Sequence, residues 1–91
     1  MARGRHLWGF DEAERRVLFE ATVDIAELRA ILDRARPSAE LSGVWLVQAT
    51  VRELDDMYSL VQALMDGTRS RRRLDVLEGL LASLCTSIDG F

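Results

Sequence analysis

The sequence predicts an all-α protein: an antiparallel three-helix bundle with long first and second helices, completed by self-association. Three observations carry that prediction. Apolar residues recur in alternating steps of three and four along three separate stretches. Helix-capping residues flank each stretch. The connections around Pro37 and Gly67 are short, which sets consecutive helices side by side and antiparallel.

Residues 1–10 precede the first periodic stretch as an arm. Gly4 and Gly9 interrupt it and no helical period develops. It reads as a flexible end, or as a docking arm that carries Trp8 and Phe10 to a partner, since both are costly to leave in water. The first helix, about 11–36, starts at Asp11, with Glu14 three residues on in the capping-box position. Its core stripe is Leu18, Ala21, Ile25, Leu28, Leu32 and Ala35. It ends before Pro37, which has no N–H and disfavours helix at the residue before it. A rod over this span is about 39 Å long.

The second helix, about 40–66, organises the rest. Either Ser38 or Ser42 can cap it, and the sequence does not choose between them. One apolar row runs Val44, Val47, Val51, Leu54, Tyr58, Val61 and Met65; a second runs Leu46, Ala49, Met57, Leu60 and Leu64. A helix apolar over so wide an arc sits between neighbours. Gly67 supplies the left-handed C-cap, and Thr68 or Ser70 caps the third helix, about 69–89, whose stripe is Leu74, Leu77, Leu81, Leu84 and Ile88. Gly79 in mid-helix suggests close approach of another backbone, and Gly90 and Phe91 close the chain. A shorter third helix cannot cover all of the second. The expected remedy is a homo-oligomer, a dimer first, with Trp8, Phe10, Trp45, Met57, Leu60 and Leu64 at its interface.

Composition bounds the function. Ninety-one residues, 48% hydrophobic and 30% charged, make one folded domain. The net charge of −3 disfavours nucleic acid as a general partner. All twelve basic residues are arginine, and lysine and asparagine are absent, which reads as the coding bias of a GC-rich bacterial genome. The single Cys85 precludes an internal disulfide and fits a reducing compartment. With no secretory pattern and no apolar run near the ~20 residues of a membrane span, a cytoplasmic location and no membrane association are expected.

The most anomalous local feature is the run Arg69, Arg71, Arg72 and Arg73 at the start of the third helix. The helix dipole prefers negative charge there, so helix stability alone would not select it. The run reads as a solvated face that pairs with nearby acids such as Asp66 and Asp75, or, since guanidinium groups beside free backbone N–H groups suit an anion, as a site for an acidic protein partner first and a nucleic acid or phosphorylated ligand second. Acids form the other candidate constellation: Asp24 and Glu27 on the first helix, Glu53 and Asp56 on the second. Such pairs on neighbouring helices are the oxygen ligands a magnesium ion takes. Asp24-x-x-Glu27 and Glu53-x-x-Asp56 are similar to the paired acidic motifs of all-α nucleotide pyrophosphatases. That resemblance implies a magnesium-dependent release of pyrophosphate, though its first acid is Asp where the family has Glu, and no lysine is present for a triphosphate.

His6 lacks the companions of a metal site, Cys85 reads as a buried structural thiol, and no glycine-rich phosphate loop or nucleophile–base set is present. The expected function is therefore that of a small bacterial helical binding protein, an adaptor, regulator or accessory subunit, with neither cofactor nor chemistry of its own.

Overall fold

Four helices pack on one face of a three-stranded antiparallel sheet. This computed structural model describes residues 5–89. The order is β1 (Arg5–Asp11), α1 (Glu12–Ala21), α2 (Ala26–Arg34), β2 (Arg36–Pro37), β3 (Val44–Thr50), α3 (Val51–Gly67) and α4 (Arg71–Asp89). The fold is α+β, and the expected all-α three-helix bundle is overturned by the sheet, whose strand order is β1-β3-β2.

The first departure is the arm. Residues 5–11 form an edge strand that pairs along its whole length with β3: Leu7 lies opposite Gln48, Trp8 opposite Val47, Gly9 opposite Leu46 and Phe10 opposite Trp45. Alternation then divides the side chains. Trp8 and Phe10 face the helices, with Val47 and Ala49 beside them in the core. Their rings lie 4.7 Å apart and tilted at 55°. The Trp8 indole N–H donates to Ser83 Oγ at 3.0 Å, and Ser83 in turn donates to the Leu80 carbonyl at 2.8 Å. Met1 to Gly4, Gly90 and Phe91 lie outside the described residues.

The second departure is the long first helix, which breaks at 22–25. The buried Thr22 ends α1: its backbone N–H and its hydroxyl both reach the Leu18 carbonyl, at 3.0 and 2.8 Å. Thr22, Val23, Asp24 and Ile25 are all weak helix formers, three of them β-branched, so a break here costs little. Arg29 of α2 then donates to the Phe19 carbonyl at 3.3 Å, bringing a cation to a last turn that has none of its own.

The third departure is the expected second helix, about 40–66. Residues 44–50 of it are strand β3, and α3 begins only after Thr50. Thr50 accepts from the Glu53 N–H at 3.1 Å while the Glu53 carboxylate accepts from the Thr50 N–H at 2.9 Å, a complete capping box. Gly43, with φ at +82°, turns the chain into β3 from a loop in which Ser38 Oγ accepts from the N–H groups of Glu40 and Leu41. Few residues but glycine take that φ without strain.

The helical layer is a pair of hairpins. Leu54, Met57 and Val61 of α3 meet Leu77, Leu80 and Leu84 of α4, and Leu18, Leu28, Ile31 and Leu32 complete one continuous core. Ser70 caps α4, accepting from the Arg73 N–H at 3.2 Å. With 19 residues against 17, α4 is longer than α3. The last helix is therefore long enough to cover its neighbour, contrary to the expectation of a shorter third helix.

Candidate functional site

The two outward arcs of α1 and α4 meet in a cleft of about 380 Å³. Ala13, Arg16, Val17 and Glu20 stand at the spacing i, i+3, i+4, i+7 on α1 and so share one side of it. From α4 and its cap come Ser70, Arg72, Arg73 and Val76. Ala13, Val17 and Val76 supply apolar surface, and Arg16, Arg72 and Arg73 surround it with three guanidinium groups. Glu20 opposes them as the single acid, bound to Arg73 at 3.6 Å. Among the described residues neither Arg16 nor Arg72 has an ion-pair partner. Arg71, Arg72 and Arg73 are the first three residues of α4, and no acidic residue occupies that first turn.

Gly79 of α4 faces the end of the Glu14 side chain of α1. A Cβ there would lie 3.0 Å from Oε2 of Glu14. The other oxygen of Glu14 accepts from the Asp11 N–H at 2.9 Å, and Asp11 accepts from the Glu14 N–H at 2.8 Å, which completes the capping box of α1. Burial raises the Glu14 pKa above the ordinary 4.5; the Asp11 N–H bond opposes that shift, and the Asp11 charge adds to it. A carboxylate, not another backbone, is what the glycine in mid-helix admits.

Of the arginine run, only Arg72 and Arg73 line this cleft, while Arg69 and Arg71 are exposed outside it. Arg16 escaped the sequence reading. Its signal is the polar–apolar arc 13, 16, 17, 20 beside the core stripe of α1, of which only Val17 packs on the core.

The other candidate positions are distributed differently. Trp8, Phe10 and Met57 are buried inside the protomer, so they have almost no surface to offer a partner. Trp45, Leu60 and Leu64 are half-buried and pack on the core from outside. Trp45 belongs to a stack of alternating guanidinium and aromatic groups. The Arg15 guanidinium lies 4.0 Å from the Trp45 ring centre and 4.5 Å from that of Phe19, and Arg29 lies 4.5 Å from the other partner of that stack, Phe19. The Trp45 indole donates to Glu12 at 3.1 Å. Each such contact contributes ~0.5–1 kcal/mol at a part-exposed site, and the stack ties α1 to α2 and β3.

The four acids do not assemble. Asp24 lies in the break between α1 and α2, and Glu27 in the first turn of α2. Glu53 is held by the Thr50 cap and by Arg34, whose two terminal nitrogens reach its two oxygens at 3.2 and 3.1 Å. Asp56 is exposed on α3. Among the described residues no three His, Cys, Asp or Glu side chains form a group that could hold a metal ion. Cys85 is half-buried and neighbours Tyr58, whose pKa it raises by its charge, with burial and a hydrogen bond to the thiol adding to the shift. No described helix is long and apolar enough to cross a membrane.

Compared with models of known families, with curated proteins and with solved structures, the chain matches none.

Proposed function

We propose that the protein is a binding module without chemistry of its own, which takes an acidic, partly apolar protein segment in the cleft between α1 and α4. The observation that carries this reading is the convergence of Arg16 with Arg72 and Arg73 over the apolar surface of Ala13, Val17 and Val76. Guanidinium groups recognise carboxylates through paired N–H donors, and the valines favour aliphatic side chains beside those carboxylates. Arginines at the start of α4 oppose the helix dipole, so a bound anion would relieve an arrangement that is unfavourable in the free protein. The cleft is open and its arginines partly solvated, so each ion pair contributes at most ~1 kcal/mol and the binding is weak and salt-sensitive.

A phosphorylated ligand or a nucleic acid is the second reading, and it rests on the same arginines. No aromatic residue lines the cleft, which removes the stacking platform that single strands use. A cytoplasmic, bacterial setting belongs to the same proposal and is supported by the lone Cys85 and the lysine-free composition.

The test is a titration of the isotope-labelled chain with a synthetic peptide of alternating glutamate and leucine, read by amide shifts. The expected shifts cluster at Ala13, Arg16, Val17, Arg72 and Val76. They vanish in the Arg16→Glu/Arg72→Glu variant and weaken as salt rises. Shifts scattered over the surface, or unchanged in the variant, refute the site. Tighter binding of an oligonucleotide at the same residues transfers the site to the second reading.

A further inference from the structure

We propose that the uncovered face of the sheet is the contact surface of a symmetric dimer of this chain, with its two-fold axis along β3. An antiparallel sheet with one solvated face normally turns polar residues outward. Here Leu7, Gly9, Val44 and Leu46 form an apolar patch on that face, with Asp11, Gln48, Thr50 and Arg36 at the outward positions around it. Leu7 is 56% exposed. A Cβ on Gly9 would lie 3.0 Å from Leu46 Cδ2 and 3.6 Å from Val44 Cγ1, so these side chains lean across β1 and close the apolar surface over it. Leu7 and Leu46 share a shallow groove of about 330 Å³ with Arg34 and Arg36.

Charge chooses the occupant and the axis. Gly9, Leu46 and Arg36 form one row across the sheet, and Asp11 stands beside Val44 one row further on. Asp11 uses Oδ1 to cap α1. A two-fold axis along β3 lays β1 of one protomer over β2 of its partner. Leu46 and Val44 then meet their own copies. Arg36 lies above the partner's Gly9, about 7 Å along the strand from the partner's Asp11 and within reach of its carboxylate. The pair forms twice. An axis across the strands through the Leu46 row would instead set Arg36 over the partner's own Arg36, like charge on like, which disfavours it.

The sheet spans about 24 Å by 14 Å, a plate of roughly 300 Å² against the ~800 Å² per partner of a standard interface. The dimer is accordingly a weak, transient one.

Sedimentation velocity of the full chain from about 1 to about 500 µM tests this. The expected result is a shift from a 10.3 kDa species toward twice that mass as concentration rises. Leu46→Glu places two like charges on the axis and holds the chain monomeric. Arg36→Asp, at an exposed position that leaves folding intact, weakens the dimer at least tenfold. Asp11→Asn keeps the cap and removes the charge, and weakens it as well. Arg16→Glu/Arg72→Glu leaves it unchanged, so the dimer and the cleft stand or fall separately. A monomer at every concentration, or a dimer indifferent to both Leu46→Glu and Arg36→Asp, overturns the proposal.

Discussion

Trp8→Ala is the perturbation that separates this fold most sharply from a three-helix bundle. The indole is fully buried, packs on Phe10 and donates to Ser83. Truncating a buried tryptophan to alanine costs ~3–5 kcal/mol in lost transfer energy and cavity. Ser83 still donates to the Leu80 carbonyl in the variant, so the hydroxyl is not orphaned as a donor. A domain of 91 residues has ~5–14 kcal/mol of stability in all, so the variant loses a large share of it. Trp8→Phe keeps a ring and gives up the hydrogen bond and part of the volume, at ~1–3 kcal/mol. Ser83→Ala isolates the polar term, leaving a buried N–H without its acceptor at ~1–3 kcal/mol. Urea unfolding followed by circular dichroism measures all three, and the milder variants report even if Trp8→Ala does not fold. Were residues 1–10 a loose arm, each change would fall within about 0.5 kcal/mol. A cost below about 1 kcal/mol for Trp8→Phe and Ser83→Ala together refutes the burial of β1 against α4.

Three further outcomes follow from the same packing. Arg34→Met removes a two-pronged contact to Glu53 and a 2.9 Å bond to the Gln48 carbonyl, all part-exposed, and lowers stability by ~1–2 kcal/mol in urea melts; Glu53→Gln, which can still cap Thr50, costs less. Glu14 binds its proton more tightly folded than unfolded, so its contribution is full below the unfolded value of 4.5 and is lost as pH rises through the folded pKa; stability of the wild type relative to Glu14→Gln therefore falls as pH climbs from 4.5, and a flat difference refutes the shift. Gly79→Ala gains up to ~1 kcal/mol of helix propensity, but its Cβ would stand 3.0 Å from the Glu14 carboxylate and push it aside; a double-mutant cycle with Glu14→Ala reveals the gain only when that carboxylate is gone.

What is legible in the sequence is local. The cap at Asp11 with Glu14 depends on neighbours within a turn, and the chain carries it in plain spacing; of the two caps open for α4 the structure uses Ser70, and of the expected α4 stripe Leu77 and Leu84 are in the core, where Leu80 from its flank joins them while Leu74 and Leu81 stay half-buried. The strand at 44–50 was misread because seven residues do not resolve a period. Val44, Val47 and Val51 fit helical steps, while Trp45, Val47 and Ala49 fit alternation equally well. The β-branched and aromatic content of that run, and the Thr50-x-x-Glu53 box that opens a helix just after it, could have arbitrated. The strand at 5–11 had no local signature, because its partner lies some forty residues away in the chain. Without it, Trp8 and Phe10 look like exposed aromatics in need of a partner, which is why they were read as interface. The arginine run was visible as charge, but the meeting of Arg16 with Arg72 needs the packing of α1 on α4 across the core.

The α1–α4 cleft and the apolar sheet face both depend on one pairing, β1 with β3 in the register that sets Leu7 opposite Gln48. Ser87 donates to the Leu7 carbonyl and Arg34 to the Gln48 carbonyl, from opposite sides, so these two residues face each other without exchanging hydrogen bonds, and so does the Gly9–Leu46 pair. Such pairs bring their α-protons into close contact. The decisive measurement is the nuclear Overhauser spectrum of the labelled chain. The account predicts strong α-proton cross-peaks between Leu7 and Gln48 and between Gly9 and Leu46. A run of sequential amide–amide contacts through 44–50, with neither cross-peak, would restore the long second helix and contradict the fold described above.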